Sequence, residues 1–180
     1  KQGPRALVLT GSGKFFSNGL DLDRFGDNRE EFTQTFTGLE RLMGRLLSLP
    51  HYAVAAINGH AFAGGAMIAS AFDWRIMRED RGFWCLNEID IKIPLTDPMY
   101  AGIVAHIPQP TVAEALLTGR RFSGPEALAA GIANEVTSED QLLARAVEKA
   151  GEVADKDPAT FAIHREHLYG SLARRCGYEV

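Results

Sequence analysis

Apolar positions along the chain fall into two periods, and each predicts an element. Ala6–Thr10 (ALVLT) is a compact apolar run between Pro4 and Gly11; Ala53–Ile57 is a second that stops at Asn58-Gly59, and Trp74–Met77 is a third. Short apolar runs bounded by turn residues predict buried strands. Glu30–Leu49 instead carries Phe32, Phe36, Leu39, Leu42, Met43, Leu46 and Leu47 at helical spacing, which predicts a core-packing helix ending before Pro50. Phe83–Ile93 (FWCLNEIDIKI) partly alternates and reads as an apolar strand with Glu88 and Asp90 inside it. Prolines at 94, 98, 108 and 110 punctuate two helical stretches, Met99–His106 and Thr111–Thr118; Gly124–Ile132 predicts a short helix leading to a strand over Ala133–Val136. Ser138-Glu139-Asp140-Gln141 reads as a capping box opening a helix towards Asp155, and Asp157-Pro158 starts another through about Leu168. Strands alternating with helices predict an α/β fold with a largely parallel sheet and ligands at the carboxyl ends of its strands. The expected organisation is a core over residues 1–136 and a C-terminal helical region over 137–180.

The stretch Ile57–Ser70, INGHAFAGGAMIAS, reads as strand, turn, glycine pair and helix start. Glycines at 64 and 65 take side chains away from the approach, so a ligand oxygen can reach backbone N–H groups that a helix start leaves unpaired. Such a place suits an oxyanion that develops during reaction. A second strand-to-loop junction, GSGKFFSNGLDL, brings Gly19 and the N–H of Leu20 to a comparable position. Its Gly11-Ser12-Gly13-Lys14 is not a phosphate loop. Val8 stands where a Walker loop needs glycine, Phe15 where it needs Ser or Thr, and Phe16 where a dinucleotide loop needs glycine.

Composition narrows the function classes. The 180 residues are 46% hydrophobic and 23% charged, enough apolar content for a substantial core. A net charge of −4 with no basic stripe argues against nucleic acid. No apolar run reaches the length of a membrane span, and the first residues lack the hydrophobic length of a secretory signal. The two cysteines, Cys85 and Cys176, have neither metal-ligand nor disulfide spacing and are expected as free thiols in a reducing compartment, the cytoplasm or an organelle matrix. His164 and His167 lie one helical turn apart but lack a third ligand, so no metal is assigned. His51 and His106 are isolated; His60 is singled out only because it adjoins the glycine loop. The carboxylate of Glu88, between Leu86 and Ile89, is costly to bury unless paired, protonated or used in chemistry, which makes it the first candidate for a base.

Taken in order, PRALVLTGSGKFFSNGLDL, VAAINGHAFAGGAMIA, DWRIM, LNEIDIKIP and EALLTGRRFSGPEALAAGIANEV, the chain resembles the enoyl-CoA hydratase/isomerase (crotonase) family over Arg5 to Val136. The resemblance implies a crotonase-like ββα spiral, a homotrimer or dimer of trimers, and an acyl-CoA thioester substrate whose coenzyme A is the only cofactor-like group. It implies an oxyanion hole at Leu20 and Gly64, and substrate contacts among Lys14, Phe16, Asn18, Gly19, Asp21, Ala63, Gly65 and Met67. Family hydratases use two glutamates; one falls at Glu88, the other at Met67, whose thioether neither accepts a proton nor holds water. One glutamate with an oxyanion hole resembles the Δ3,Δ2-enoyl-CoA isomerases of fatty-acid β-oxidation, with Glu88 moving a proton from C2 to C4. Hydration, thioester hydrolysis and a catalytically silent acyl-CoA-binding member are the alternatives. The sequence departs from the family in two ways: the strands and helix that normally precede Arg5 are absent from it, an expectation of a missing N-terminal part, and Lys92 stands where relatives often carry glycine.

Overall fold

The computed structural model describes residues 5–178. In chain order the elements are β1 (Leu7–Thr10), β2 (Phe15–Ser17), a 3-10 turn (Leu22–Arg24), α1 (Arg29–Leu47), β3 (Ala53–Ile57), β4 (His60–Phe62), α2 (Gly64–Ser70), β5 (Trp74–Arg78), β6 (Phe83–Cys85), α3 (Glu88–Ile91), α4 (Asp97–Val104), α5 (Gln109–Thr118), β7 (Phe122–Ser123), α6 (Gly124–Ala129), β8 (Glu135–Thr137), α7 (Glu139–Gly151) and α8 (Pro158–Arg175). Three successive units follow the same plan of two strands and a helix: β1-β2-α1, β3-β4-α2 and β5-β6-α3. The first strand of each unit joins one four-stranded sheet, ordered β1-β3-β5-β8, and the second joins another, ordered β2-β4-β6-β7. The first sheet is parallel throughout, while the second ends in an antiparallel pair, β6 with β7. This is the ββα spiral that the resemblance implies.

Strand β3 lies at the centre and is buried along its whole length. Ala53, Ala55 and Ile57 point into a cluster with Met43 and Leu47 of α1, and Val54 and Ala56 point to the other face, against Leu142, Ala146 and Ala150 of α7. That alternation is why a run of small apolar residues is sandwiched here: both faces are covered, and Ala lets α7 approach closely. Helix α8 packs against α1 and α4, so both C-terminal helices share in covering the core. The start of β5 is tied to α8 by a buried pair, Asp73 with Arg165, and Asp73 also accepts from the N–H of Ala53 at 2.8 Å. Burial pushes the Asp73 carboxyl up, but His106, Arg165 and the Ala53 N–H more than offset this and hold it below the usual carboxylate range.

Several readings of the sequence are corrected. β1 is an edge strand among the described residues, with Leu9 39% exposed, rather than a strand buried on both faces. One largely parallel sheet becomes two because β2, β4 and β6 are only three residues long, too short to stand out as apolar runs. Ser138 does precede α7, but its hydroxyl bonds the Asp140 carboxylate at 2.5 Å and caps no N–H. The complete capping box is at Ser123 and Glu126, opening α6. The largest difference concerns residues 88–91, which form a one-turn helix. Ile91 N donates to Asn87 O and Ile93 N to Glu88 O, Lys92 takes the left-handed conformation at φ 59°, and Pro94 keeps the helix from continuing. β6 ends at Cys85, where its partners end as well, β4 at Phe62 opposite Cys85 and β7 at Phe122 opposite Trp84, so the backbone beyond it satisfies itself.

Candidate active site

The helical turn reverses the burial that alternation predicts. Glu88 is 6% exposed, whereas Ile89 and Ile91 are 49% and 41% exposed. The carboxylate therefore points inward at the start of α3, into a narrow cavity of about 40 Å³. Its walls come from four other parts of the chain: Leu20 and Leu22 after β2, Phe36 and Leu39 of α1, Ala63, Gly64 and Met67 at the head of α2, and Met99 of α4. Leu20, Gly64, Met67 and Glu88, separated by up to 68 positions in the sequence, thus line one space.

Two backbones meet at the mouth of that space. A Cβ placed on Gly19 would lie 3.1 Å from the nitrogen of Gly64, and one placed on Gly64 would lie 3.8 Å from the nitrogen of Leu20. Gly19 holds φ +83°, which suits glycine alone at a corner this crowded. Gly64 begins α2, so its N–H has no intrahelical acceptor. Between them sits Ala63 with φ 48° and ψ −124°, a conformation L-residues rarely adopt, costing about 1–3 kcal/mol. It is held by both neighbours: the Ala63 N–H donates to Cys85 O at 3.0 Å on β6, and its carbonyl accepts from Met67 at 3.0 Å. The opposite loop is fastened by Asn58, whose carboxamide oxygen accepts from Gly11 N at 2.9 Å and whose amide donates to Gly13 O at 3.1 Å.

Among the described residues Glu88 has no counter-charge. Burial pushes its carboxyl up to about 7, against a smaller lowering by a backbone hydrogen bond, and its Oε2 is buried without a hydrogen-bond partner among the described residues. A carboxylate so placed is a base poised near neutral pH, with a free oxygen facing an apolar cavity. The cavity opens past Leu20, Leu22, Ala63 and Ile91 into a more polar cleft of about 390 Å³ that also touches Asn18, Gly19, Asp21 and Asn87.

Three residues expected to contact substrate lie elsewhere. Phe16 is buried in the core, Lys14 is exposed with its ammonium 5.2 Å from the Phe15 ring, and none of Lys14, Phe16 and Gly65 lines the cavity or the cleft. Gly65 serves packing, since a Cβ there would fall 2.2 Å from the carbonyl oxygen of Ser17. His60 is enclosed by the rings of Phe15, Phe62 and Phe83, and burial together with Arg81, Arg121 and Lys14 lowers its pKa. Further lining residues are not marked as such by the sequence: Phe36 and Leu39 belong to the helical stripe and read as core, Asn87 and Ile93 flank Glu88 within one motif, and Met99 carries no signal. No group of three His, Cys, Asp or Glu side chains that could hold a metal occurs among the described residues. No helix among them is long and apolar enough to cross a membrane.

Comparison with known proteins agrees with this arrangement. The pattern of the enoyl-CoA hydratase/isomerase family matches residues 1–176. Enoyl-CoA delta isomerase 3 of Arabidopsis thaliana is 35% identical over 177 residues, which cover 93% of this chain and 74% of that protein. Among solved structures, an enoyl-CoA isomerase of Mycobacterium tuberculosis superposes with a TM-score of 0.87 at 28% identity, covering 96% of this chain and 75% of the other. Human mitochondrial delta3-delta2-enoyl-CoA isomerase superposes with a TM-score of 0.88 at 26% identity, covering 95% and 67%.

Proposed function

We propose that this chain, which belongs to the enoyl-CoA hydratase/isomerase family, converts 3-enoyl-CoA into 2-enoyl-CoA with Glu88 as its only proton carrier. The observation that carries the proposal is a single buried, unpaired carboxylate in an apolar cavity, with a thioether, Met67, across the same space. In the proposed reaction the thioester oxygen takes hydrogen bonds from the N–H groups of Leu20 and Gly64. Glu88 removes a proton from C2, and the electron pair of that C–H bond delocalises into a dienolate whose negative charge rests on the thioester oxygen. The protonated Glu88 then gives the proton to C4, the former C3–C4 double bond supplies the electrons for the new C–H bond, and the double bond comes to rest between C2 and C3. One carboxylate serves both carbons, since they lie on the same short chain.

Addition of water needs a second group to orient and deprotonate it, and the side chains that line the cavity with Glu88 are apolar, Met67, Leu39 and Phe36 among them. An apolar cavity also keeps water from quenching the dienolate. No metal or further cofactor has a step in this scheme. Assembly as a homotrimer or dimer of trimers belongs to the same proposal. The apolar side chains of Leu117, Ile89 and Ile91, 73%, 49% and 41% exposed, are surface that assembly would cover, and sedimentation at micromolar concentration tests it. The deciding experiment for the reaction gives purified protein 3-hexenoyl-CoA and 2-hexenoyl-CoA separately and resolves the products. Isomerisation of the first well above hydration of the second is the expected result; faster hydration overturns the proposal.

A further inference from the structure

We infer that the site selects short acyl chains, of about five carbons or fewer, because the cavity containing Glu88 is closed at its inner end by Phe36, Leu39, Met67 and Met99. This rests on the proposed isomerase reading. The lining residues shared with the outer cleft, Leu20, Leu22, Ala63 and Ile91, define the mouth, with Gly64 next to Ala63; the side chains of Leu39, Met67 and Met99, 6%, 2% and 2% exposed, line the cavity away from that cleft and, with Phe36, form its floor. They come from three helices, α1, α2 and α4, that pack on one another, and Met67 and Met99 are each 2% exposed. A floor built from three mutually packed helices does not yield to a longer chain without separating them.

Capacity sets the length. A space of about 40 Å³ holds roughly three water molecules. A methylene fills a similar volume to a water, so about three or four carbons fit beyond a thioester carbonyl held at the mouth by Leu20 and Gly64. Carbons 2 to 4, the reacting segment, already occupy most of that space. A longer tail would have to cross the side wall made by Glu88, Ile93 and Pro94 into the apolar cleft on its far side, which those three residues also line. That wall includes the base itself, so displacing it would misplace the carboxylate.

The test compares kcat/KM for 3-hexenoyl-CoA and 3-dodecenoyl-CoA, alongside calorimetric binding of butyryl-CoA, hexanoyl-CoA and dodecanoyl-CoA, which needs no chemistry. Wild type should favour hexenoyl over dodecenoyl by at least about tenfold, and hexanoyl-CoA should bind more tightly than dodecanoyl-CoA. Met67→Ala, which lowers the floor, should reduce that preference at least about fivefold; Phe36→Leu is the second variant if Met67→Ala does not fold. Equal or better turnover of the long substrate by wild type overturns the length inference while leaving the isomerase reading intact. Length-selective binding with no isomerisation of either substrate overturns the isomerase reading and leaves the length inference standing. Absence of binding and turnover for every thioester overturns both.

Discussion

Replacing Glu88 by Gln should abolish isomerisation and, above neutral pH, make the protein more stable. In the folded chain the carboxyl is buried, its Oε2 without a partner among the described residues, and it is pushed up to about 7, against 4.5 for the free side chain. A raised carboxyl pKa means that the folded state binds the proton more tightly than the unfolded one between those two values. Stability from this group is therefore fully present below about pH 4.5 and is lost as pH rises through about 7. At 1.36 kcal/mol per pH unit the loss amounts to about 3 kcal/mol, and Glu88 is too deeply buried, at 6% exposure, for solvent to screen much of it. Gln has nearly the same shape and no charge. Whatever its amide gains or loses in the cavity is independent of pH, and every other ionisable group is common to both proteins. The difference in unfolding free energy between Glu88→Gln and wild type, from urea denaturation at intervals between pH 4.5 and 8.5, should therefore rise by about 3 kcal/mol and level off above pH 7.5. In parallel, wild-type kcat/KM on 3-hexenoyl-CoA should climb with pH through an apparent pKa near 7, because the carboxylate is the active form. A stability difference that stays flat to within 0.5 kcal/mol across that range would refute the reasoning that burial penalises the charged form, and full activity in Glu88→Gln would refute its role as base.

Other perturbations test the scaffold around the cavity. Ala63→Gly should stabilise the fold by about 1 kcal/mol by relieving its positive φ, read as a higher urea midpoint, and should lower kcat rather than raise KM if the strained peptide fixes the direction of the Gly64 N–H. Lys92→Gly, at the left-handed end of α3, should raise stability by about 0.5–1 kcal/mol in the same assay and leave the pH profile of activity unchanged. Asp73→Ala removes the partner of buried Arg165 and the acceptor of the Ala53 N–H, and should cost about 3–5 kcal/mol; a loss below 1 kcal/mol would show that Arg165 finds another partner.

What could be read from the sequence, and what could not, follows from the range of the signals. The α1 stripe, the β3 run and the glycine-pair helix were legible because each is a local pattern whose period the backbone enforces. β4 was not, since three residues, His60-Ala61-Phe62, carry no period. Glu88 stands out in the sequence as a carboxylate in apolar company, and the structure buries it, but at the start of a helical turn rather than within a strand. Glu-Ile-Asp-Ile-Lys-Ile alternates as a strand would, but β4 ends at Phe62 opposite Cys85 and α5 closes at Gly119 just before β7, so residues 88–91 run past the ends of both partner strands and close a helical turn instead. The cavity floor was illegible for a similar reason: Phe36 and Met99 look like any core residues until α1, α2 and α4 are seen to pack around one space.

Two of the local conflicts in this fold lie at one place, which ties stability to chemistry. A carboxylate is buried at Glu88 with its Oε2 unpartnered among the described residues, and an alanine is held at φ 48° on the wall of the same cavity, next to the nitrogen of Gly64. Both features cost free energy, and the surrounding structure holds them in place. Ala63 is over-determined by the strand bond to Cys85 and the helix bond to Met67, and Glu88 by a helical turn whose apolar residues face outward. Sequences that fold well avoid such conflicts except where a function requires them. If the two serve one reaction, their effects on it should be coupled. In the double variant Ala63→Gly/Glu88→Gln the stability gains should add, because the residues do not share a hydrogen bond, whereas the loss of isomerase activity should not exceed that of Glu88→Gln alone, because a donor aimed at an enolate has nothing to stabilise once the base is gone. A further drop in activity on adding Ala63→Gly would mean that the strained peptide contributes to substrate binding independently of proton transfer.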